Sequence, residues 1–351
     1  MTLSIIIPLY NGKRFIGKCI KSCLNQGLEN DDYEIIVVND ASTDGGENKV
    51  VSLSESFSNI HLINHKVNLG PEQSRLTGFL SSNGRFVFFI DGDDWLESKV
   101  LSYFIEYAEN KECDLVCGRR TICATFGNLK LLSKTYEHVE YGEISQPPLF
   151  DKYWVSFFGK SLIPIFLTGN LIRRECISSE FFKTGMWFWE DQYELLRIFV
   201  NINKAFYSPK KSYNYRMGGM TSLFNSQVYN DHKTLFRLRL KAIEDYHYEK
   251  ARYYACGEMK NVFKQIVCEM ILQKSISEVD IKHYIRQELS DNIWDEVFLP
   301  EYVPLFKNPS YTSAMMNKDV DAIYNICLKE AKSGRVKRVI HRIWNSLYSV
   351  R

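Results

Sequence analysis

The sequence has no dominant charge: 44 Lys and Arg stand against 42 Asp and Glu, a formal net charge of +2. That removes any general electrostatic argument for a nucleic-acid partner, so a charged ligand must be sought locally. No run reaches the ~18 uninterrupted apolar residues of a membrane span. The opening MTLSIIIPLYN lacks a basic leader followed by a long apolar stretch. The expectation is a cytoplasmic chain without a signal peptide. Nine cysteines, an odd number, fit reduced thiols in such a compartment. Cys19 and Cys23, like Cys113 and Cys117, are four apart, wider than the usual zinc-site spacing. Buried thiols are their expected use.

What is present is a large apolar inventory, 45% hydrophobic and 14% aromatic over 351 residues. That is ample for one large domain or two to three ordinary ones. LSIIIP (3–8), YEIIVVND (33–40), IHLINH (60–65) and RFVFFID (85–91) are short apolar runs with strand character. Between them Phe15, Ile16, Cys19, Ile20, Cys23 and Leu24 recur at helical spacing, and PEQSRLTGFLSS opens with Pro71, suited to a first helical turn. The alternation predicts an α/β fold, a parallel sheet covered by helices on both faces. Each strand is followed by polar residues: Pro8, Tyr10 and Asn11 after the first, Asn39 and Asp40 after the second, Asp91, Gly92, Asp93 and Asp94 after the fourth. In open α/β sheets ligands bind beyond the carboxyl ends of the strands, so these groups converge on one expected crevice.

Asp91, Asp93 and Asp94 repel one another unless a cation, a proton or solvent relieves them. Hard carboxylate oxygens at a strand end suit Mg²⁺ or Mn²⁺, which keep positions for water and substrate phosphate. Asp94 is assigned to capping a helix that starts near Trp95.

Farther on, CDLVCG (113–118) reads as a strand and RTICATFGNLKLLSKTY (120–136) as a hairpin turning at Gly127 and Asn128. A break at Gln146-Pro147-Pro148 precedes an aromatic-rich helical region, and MWFWEDQYELLRIFV is helical after Trp189. From Gln227 the composition turns to helices rich in Lys, Arg, Glu and Tyr. The expected organisation is three segments, 1–118, 119–226 and 227–351.

The segments SIIIPLYNGKRFIGKCIKSCLNQ, YEIIVVNDASTDGG, NLGPEQSRLTGF and FVFFIDGDDWL stand in this order within residues 3–118, with a further match at Glu190-Asp191. Together they resemble the nucleotide-sugar half of family 2 inverting glycosyltransferases of the bacterial surface-polysaccharide type. The resemblance implies a GT-A fold: a Rossmann-like, mostly parallel sheet flanked by helices, here followed by a C-terminal helical section. It implies that the backbone of Pro8 and Leu9, with Tyr10 and Asp40, lines a uridine pocket, Asp40 accepting from the uracil N–H. Asp91 would contact the ribose or sugar, and Asp93 would bind the metal on the diphosphate. Gly92 would let the backbone approach the ligand. Arg75 would lie near the donor's phosphate or ribose. Ser42 and Asp44 are assigned to helix-start capping and not to the site.

The resemblance further places Asp191 as the catalytic base, with Glu190 beside it, in an aromatic setting of Trp187, Phe188 and Trp189 that would raise a carboxylate pKa by desolvation. The implied reaction is a single in-line displacement on a UDP-hexose or UDP-N-acetylhexosamine, giving a β-linkage, with Mn²⁺ or Mg²⁺ stabilising the departing UDP. In YNYRMGGMTS (213–222), Gly218 and Gly219 fit a hinge, and Arg216 is placed at phosphate. The sequence departs from the family pattern at LTGNLIRRE, where Asn170 stands at a position often occupied by Lys. The acceptor pocket therefore does not transfer.

The last 21 residues hold six Lys or Arg and no acid, with Val336, Val339, Ile340, Ile343, Trp344 and Leu347 on one helical stripe. Such a helix suits either an anionic membrane surface, contacted by residues 335–351, or docking on the core. A peripheral position on the cytoplasmic face of the inner membrane would fit a polyprenyl-diphosphate-linked saccharide acceptor, as in O-antigen or capsule biosynthesis. Two other functions were weighed. A nucleotidyltransferase would need a Gly-rich basic loop where the chain reads PLYNGKRF. A non-enzymatic Mg²⁺-binding regulator would leave Glu190 and Asp191 without a task.

Overall fold

The structure, a computed structural model, describes residues 1–126, 129–135, 141–146, 148–160, 162–217, 226–273 and 275–333. It divides into two compact units, one of Met1–Phe157 with Ser161–Met217, the other of Phe158–Lys160 with Gly218–Arg351. The first unit takes in residues 1–118 and most of the expected segment 119–226, whose residues 158–160 and 218–226 fall in the second.

The first unit opens with β1 (Leu3–Leu9), α1 (Ile16–Leu24), β2 (Tyr33–Asn39), α2 (Glu47–Ser54), β3 (Ile60–Asn64), α3 (Pro71–Leu80) and β4 (Phe86–Phe89). Every residue of β2 is buried, as are Ile5, Ile6 and Ile7 of β1, because helices cover both faces of these central strands. In β3, at the sheet edge, only Ile60 is buried. The unit continues with β5 (Trp95–Leu96), α4 (Val100–Lys111), β6 (Leu115–Phe126), β7 (Leu129–Thr135), β8 (Gly142–Ser145), α5 (Pro148–Tyr153), β9 (Asn170–Arg173), α6 (Glu190–Phe199) and β10 (Lys204–Arg216).

The sheet order is β3-β2-β1-β4-β9-β6-β10-β5, with β7 on β6 and β8 on β10. The pairs β3–β2, β2–β1 and β1–β4 are parallel, as expected. Beyond β4 the sheet is mixed: β9 runs antiparallel to both β4 and β6, while β10 runs parallel to β6. Register explains why the strand ends share a rim. Leu9 lies opposite Asn39, and Asn39 opposite Asn64, so the residues that follow β1, β2 and β3 emerge level. Chain order reverses between β1 and β4, the place where such sheets bind ligands.

Two local expectations change. CDLVCG and the first hairpin arm are one continuous strand, β6, paired antiparallel with β7; the proposed turn residues Gly127 and Asn128 lie outside the described residues. No helix begins at Trp95. That residue and Leu96 pair antiparallel with Asn214 and Tyr213 of β10, and α4 starts after Lys99, which has a left-handed backbone (φ 54°).

The second unit contains α7 (Ser226–Asp245), α8 (Arg252–Leu272), α9 (Glu278–Glu288), α10 (Ile293–Val297), α11 (Pro309–Met316) and α12 (Val320–Ser333). Tyr229, Phe236, Phe263, Trp294, Met315 and Cys327 are buried among them. All nine cysteines are free, buried thiols. Among the described residues no helix is long and apolar enough to cross a membrane. The hinge residues Gly218 and Gly219 and the basic segment 335–351 lie outside the described residues.

Candidate active site

The acidic turn follows β4. The Ile90 amide still bonds Ile6 O, and the Asp94 amide donates to Asp91 O at 3.0 Å, closing a four-residue turn. Gly92 has a packing constraint at this turn: a Cβ there would stand 2.9 Å from Pro8 O, so the end of β1 leaves no room for one. Asp94 is not a helix cap. It is buried, with Oδ1 accepting from the Arg216 amide at 2.7 Å and Oδ2 from the Tyr213 hydroxyl at 2.6 Å. Tyr213 Oη also accepts from the Asp91 amide at 3.3 Å, so β10 holds the turn at two points.

This anchoring separates the three acids. Asp91 keeps a side chain 35% exposed, with Arg75 Nη2 at 3.4 Å. Asp93 is half-buried; burial, then the Asp91 charge, pushes its pKa up to about 6, against the pull of Arg216. Asp94 is pushed higher still by burial and by its two neighbours. Among the described residues no three His, Cys, Asp or Glu side chains form a closed metal cage. The donor set nonetheless fits Mg²⁺ or Mn²⁺. It offers hard oxygens on a half-buried carboxylate, the ligand type these ions combine with phosphate oxygens and waters.

Arg216, the last residue of β10, is placed at this turn. Its Nε donates to Asp93 O at 2.8 Å, and its guanidinium lies 4.3 Å from the Phe15 ring centre and 5.1 Å from that of Trp95. At the other part of the rim Tyr10 is 47% exposed at the end of β1, and Leu9 O accepts from the Asp40 amide at 2.8 Å. Ser42 and Asp44 link the loops instead of capping a helix: Ser42 Oγ accepts from the Asn11 amide and Asp44 Oδ2 from the Lys13 amide.

Arg75 is only 4% exposed, and its guanidinium is engaged by carboxylates: Glu190 at 2.7 Å, Asp91 at 3.4 Å and Glu194 at 3.5 Å. Burial works against its charge, but Glu194, Glu190, Asp91 and Asp191 together hold it protonated. It connects the acidic turn to the acids of α6. That helix starts where Trp189 adopts a left-handed backbone (φ 67°), which places Glu190 and Asp191 in its first turn, where the helix dipole favours anions. Burial pushes Glu190 up to about 7 against the pull of Arg75. Asp191 is also raised, by burial and the Asp91 charge, with Arg75 and Arg120 opposing. Raising a carboxylate's pKa makes it a stronger proton acceptor once ionised.

Sequence reasoning missed four members of this neighbourhood. Glu194, fully buried, lies one turn after Glu190 on the same helix face, a spacing that was legible. His65 is a histidine at a strand end, also legible: its Nδ1 lies 2.7 Å from Asp40 Oδ1. Tyr213 and Arg120 are brought in by β10 and β6 pairing, which no local pattern shows. Arg120 Nη2 donates to Thr168 O and Oγ1, and its guanidinium lies 4.3 Å from the Tyr213 ring centre. Asn170, the departure from the family pattern, ties its own turn through Phe166 O at 2.7 Å and Leu167 O at 3.2 Å.

Comparison with known proteins agrees with this geometry. Residues 4–175 match the sequence profile described as Glycosyl transferase family 2. A poly(ribitol-phosphate) beta-glucosyltransferase of Bacillus spizizenii is 32% identical over 34% of this chain and 19% of its own length. The poly(ribitol-phosphate) beta-N-acetylglucosaminyltransferase TarP of Staphylococcus aureus is 28% identical over 61% of each chain. The chain thus spans less than two thirds of either relative. The crystal structure of S. aureus TarS 1-349 in complex with UDP-GlcNAc superposes with a TM-score of 0.69 at 18% identity, covering 95% of this chain and 92% of that one. At that identity the likeness carries the fold, which is GT-A. Profile and motifs together assign residues 4–175 to glycosyl transferase family 2.

Proposed function

We propose that the protein transfers a hexose or N-acetylhexosamine from a UDP-sugar to a hydroxyl of a bacterial surface polysaccharide, inverting the anomeric centre to a β-linkage. The observation that carries this is the bridge made by Arg75, which links an acid of the strand-end turn, Asp91, to the Glu190–Asp191 pair. That bridge fixes the donor-binding turn against the helix whose first turn carries the proton acceptor Asp191, the proximity a single displacement uses.

In this proposal Tyr10 stacks on the base, the carbonyls of Pro8 and Leu9 shape its pocket, Asp40 accepts its N–H, and Asp91 contacts the ribose or sugar. Asp93 holds Mn²⁺ or Mg²⁺; such an ion, when bound, neutralises charge on the diphosphate. Asp191 takes the proton from the acceptor oxygen as that oxygen attacks the anomeric carbon. Glu190, paired with Arg75, is kept from competing for that proton. The acceptor is taken as a polyprenyl-diphosphate-linked saccharide. The relatives' action on poly(ribitol-phosphate) makes that polymer the second candidate.

The test is UDP release from a panel of UDP-sugars with each acceptor, with the product anomer determined by NMR. A β-linked product from one UDP-sugar supports the proposal. A retained anomeric configuration, or no release with any donor, refutes it.

A further inference from the structure

Asp40 is held by more partners than a loop carboxylate needs. Oδ1 accepts from the Leu69 amide at 2.9 Å and lies 2.7 Å from His65 Nδ1, while Oδ2 accepts from the Gly70 amide at 2.8 Å. A carboxylate oxygen offers two acceptor positions. Among the described residues Oδ1 is therefore filled, and Oδ2 keeps one position. His65 is itself fixed from both sides, since Nε2 lies 2.9 Å from Thr77 Oγ1 on α3 and its backbone amide bonds Asn39 O at 2.9 Å. Its side chain is 9% exposed and that of Asp40 4%. Whether the ring is neutral or charged, Nδ1 donates to Asp40, because an ionised carboxylate can only accept.

We propose that His65 is a positioning residue for nucleobase selection: by filling Oδ1 of Asp40 it leaves a single acceptor, on Oδ2, matched to the one ring N–H of uracil. This rests on the assignment of Asp40 to the base pocket. Cytosine presents a lone pair where uracil presents that N–H, so it would set acceptor against acceptor, and such mismatches discriminate strongly. Were Oδ1 also open, the carboxylate could turn and offer alternative acceptors, and selection would relax.

The experiment is calorimetric titration of the full chain with UDP, CDP and N3-methyl-UDP in Mn²⁺, using wild type, His65→Leu and His65→Asn. Wild type should prefer UDP over both analogues by at least ~10-fold, the worth of one buried hydrogen bond. His65→Leu should lose most of that preference, and His65→Asn, which returns an N–H near the Nδ1 position, should restore it. A merely structural role for His65 would weaken UDP and CDP alike and leave their ratio unchanged. Lack of discrimination against N3-methyl-UDP in wild type overturns the Asp40 assignment itself. Discrimination equal in wild type and His65→Leu overturns the role of His65 alone. If His65→Leu does not fold, Thr77→Val replaces it: a relaxed UDP-to-CDP ratio supports the proposal and an unchanged ratio overturns it.

Discussion

Buried charge is handled differently in the two units. In the helical unit, cations are matched locally: Lys260 donates to Lys307 O and Thr312 Oγ1, Arg239 pairs with Glu258 at 2.6 Å, and Lys233 with Glu288 and Asp291. In the sheet unit six acids, Asp91, Asp93, Asp94, Glu190, Asp191 and Glu194, gather near Arg75, Arg120 and Arg216, and burial raises five of those acids. Matched charges hold a scaffold together. Under the proposed function, acids gathered at a rim that receives an anionic diphosphate call for a cation that arrives with it.

The comparison breaks first at Asp191. Asp191→Asn should lower turnover ~10³-fold while leaving UDP affinity within about twofold, since a general base contributes to the chemical step and not to nucleotide binding. A variant with near-normal turnover would make Asp191 scaffold, like the acids of the helical unit.

Next come two buried cations of opposite circumstance. Arg75→Met strands the acids around it and should destabilise the protein by ~3 kcal/mol in urea denaturation. Lys260→Met should change stability by less than ~1 kcal/mol, because removing a costly buried charge offsets the lost hydrogen bonds. Equal costs would erase the distinction between the units.

Their pH dependence should run in opposite directions. Glu190, raised to about 7, contributes stability that is complete below the unfolded carboxylate range and lost as pH rises through its folded value. Lys260, depressed by burial to about 8, contributes stability that is present above the unfolded lysine range and lost as pH falls through its folded value. Melting temperature of the unliganded protein should therefore fall less steeply between about pH 4.5 and pH 7 in Glu190→Gln than in wild type. Lys260→Met should remove the part of the rise with pH that lies above that interval. Tyr213→Phe, which loosens the acidic turn, should cost ~1 kcal/mol of stability.

Much of the sheet unit was legible because its signals are local. The apolar runs, Pro71 at a first helical turn and the acids after β4 each declare themselves within a few residues. What was not legible depends on pairing between distant strands. Trp95–Leu96 is a strand because β10 lies beside it, and that same strand takes Asp94 as its anchor, overriding the helix-cap chemistry an Asp before Trp suggests. The sequence placed Arg75 near the donor's phosphate or ribose; only the arrival of α6 shows that it is also buried among carboxylates. At Gly92 the pairing of β1 with β4 adds a constraint no local pattern shows, a carbonyl 84 positions earlier at Pro8.

The central claim is that the acid excess at the strand-end rim is completed by a divalent cation held at Asp93 and brought together with UDP. Calorimetric titration of UDP with and without Mn²⁺, in wild type and in Asp93→Ala, tests it most directly. The account predicts that Mn²⁺ strengthens UDP binding to wild type by at least ~10-fold and has no effect on the variant. Equal Mn²⁺ dependence in both proteins, or none in wild type, would contradict it.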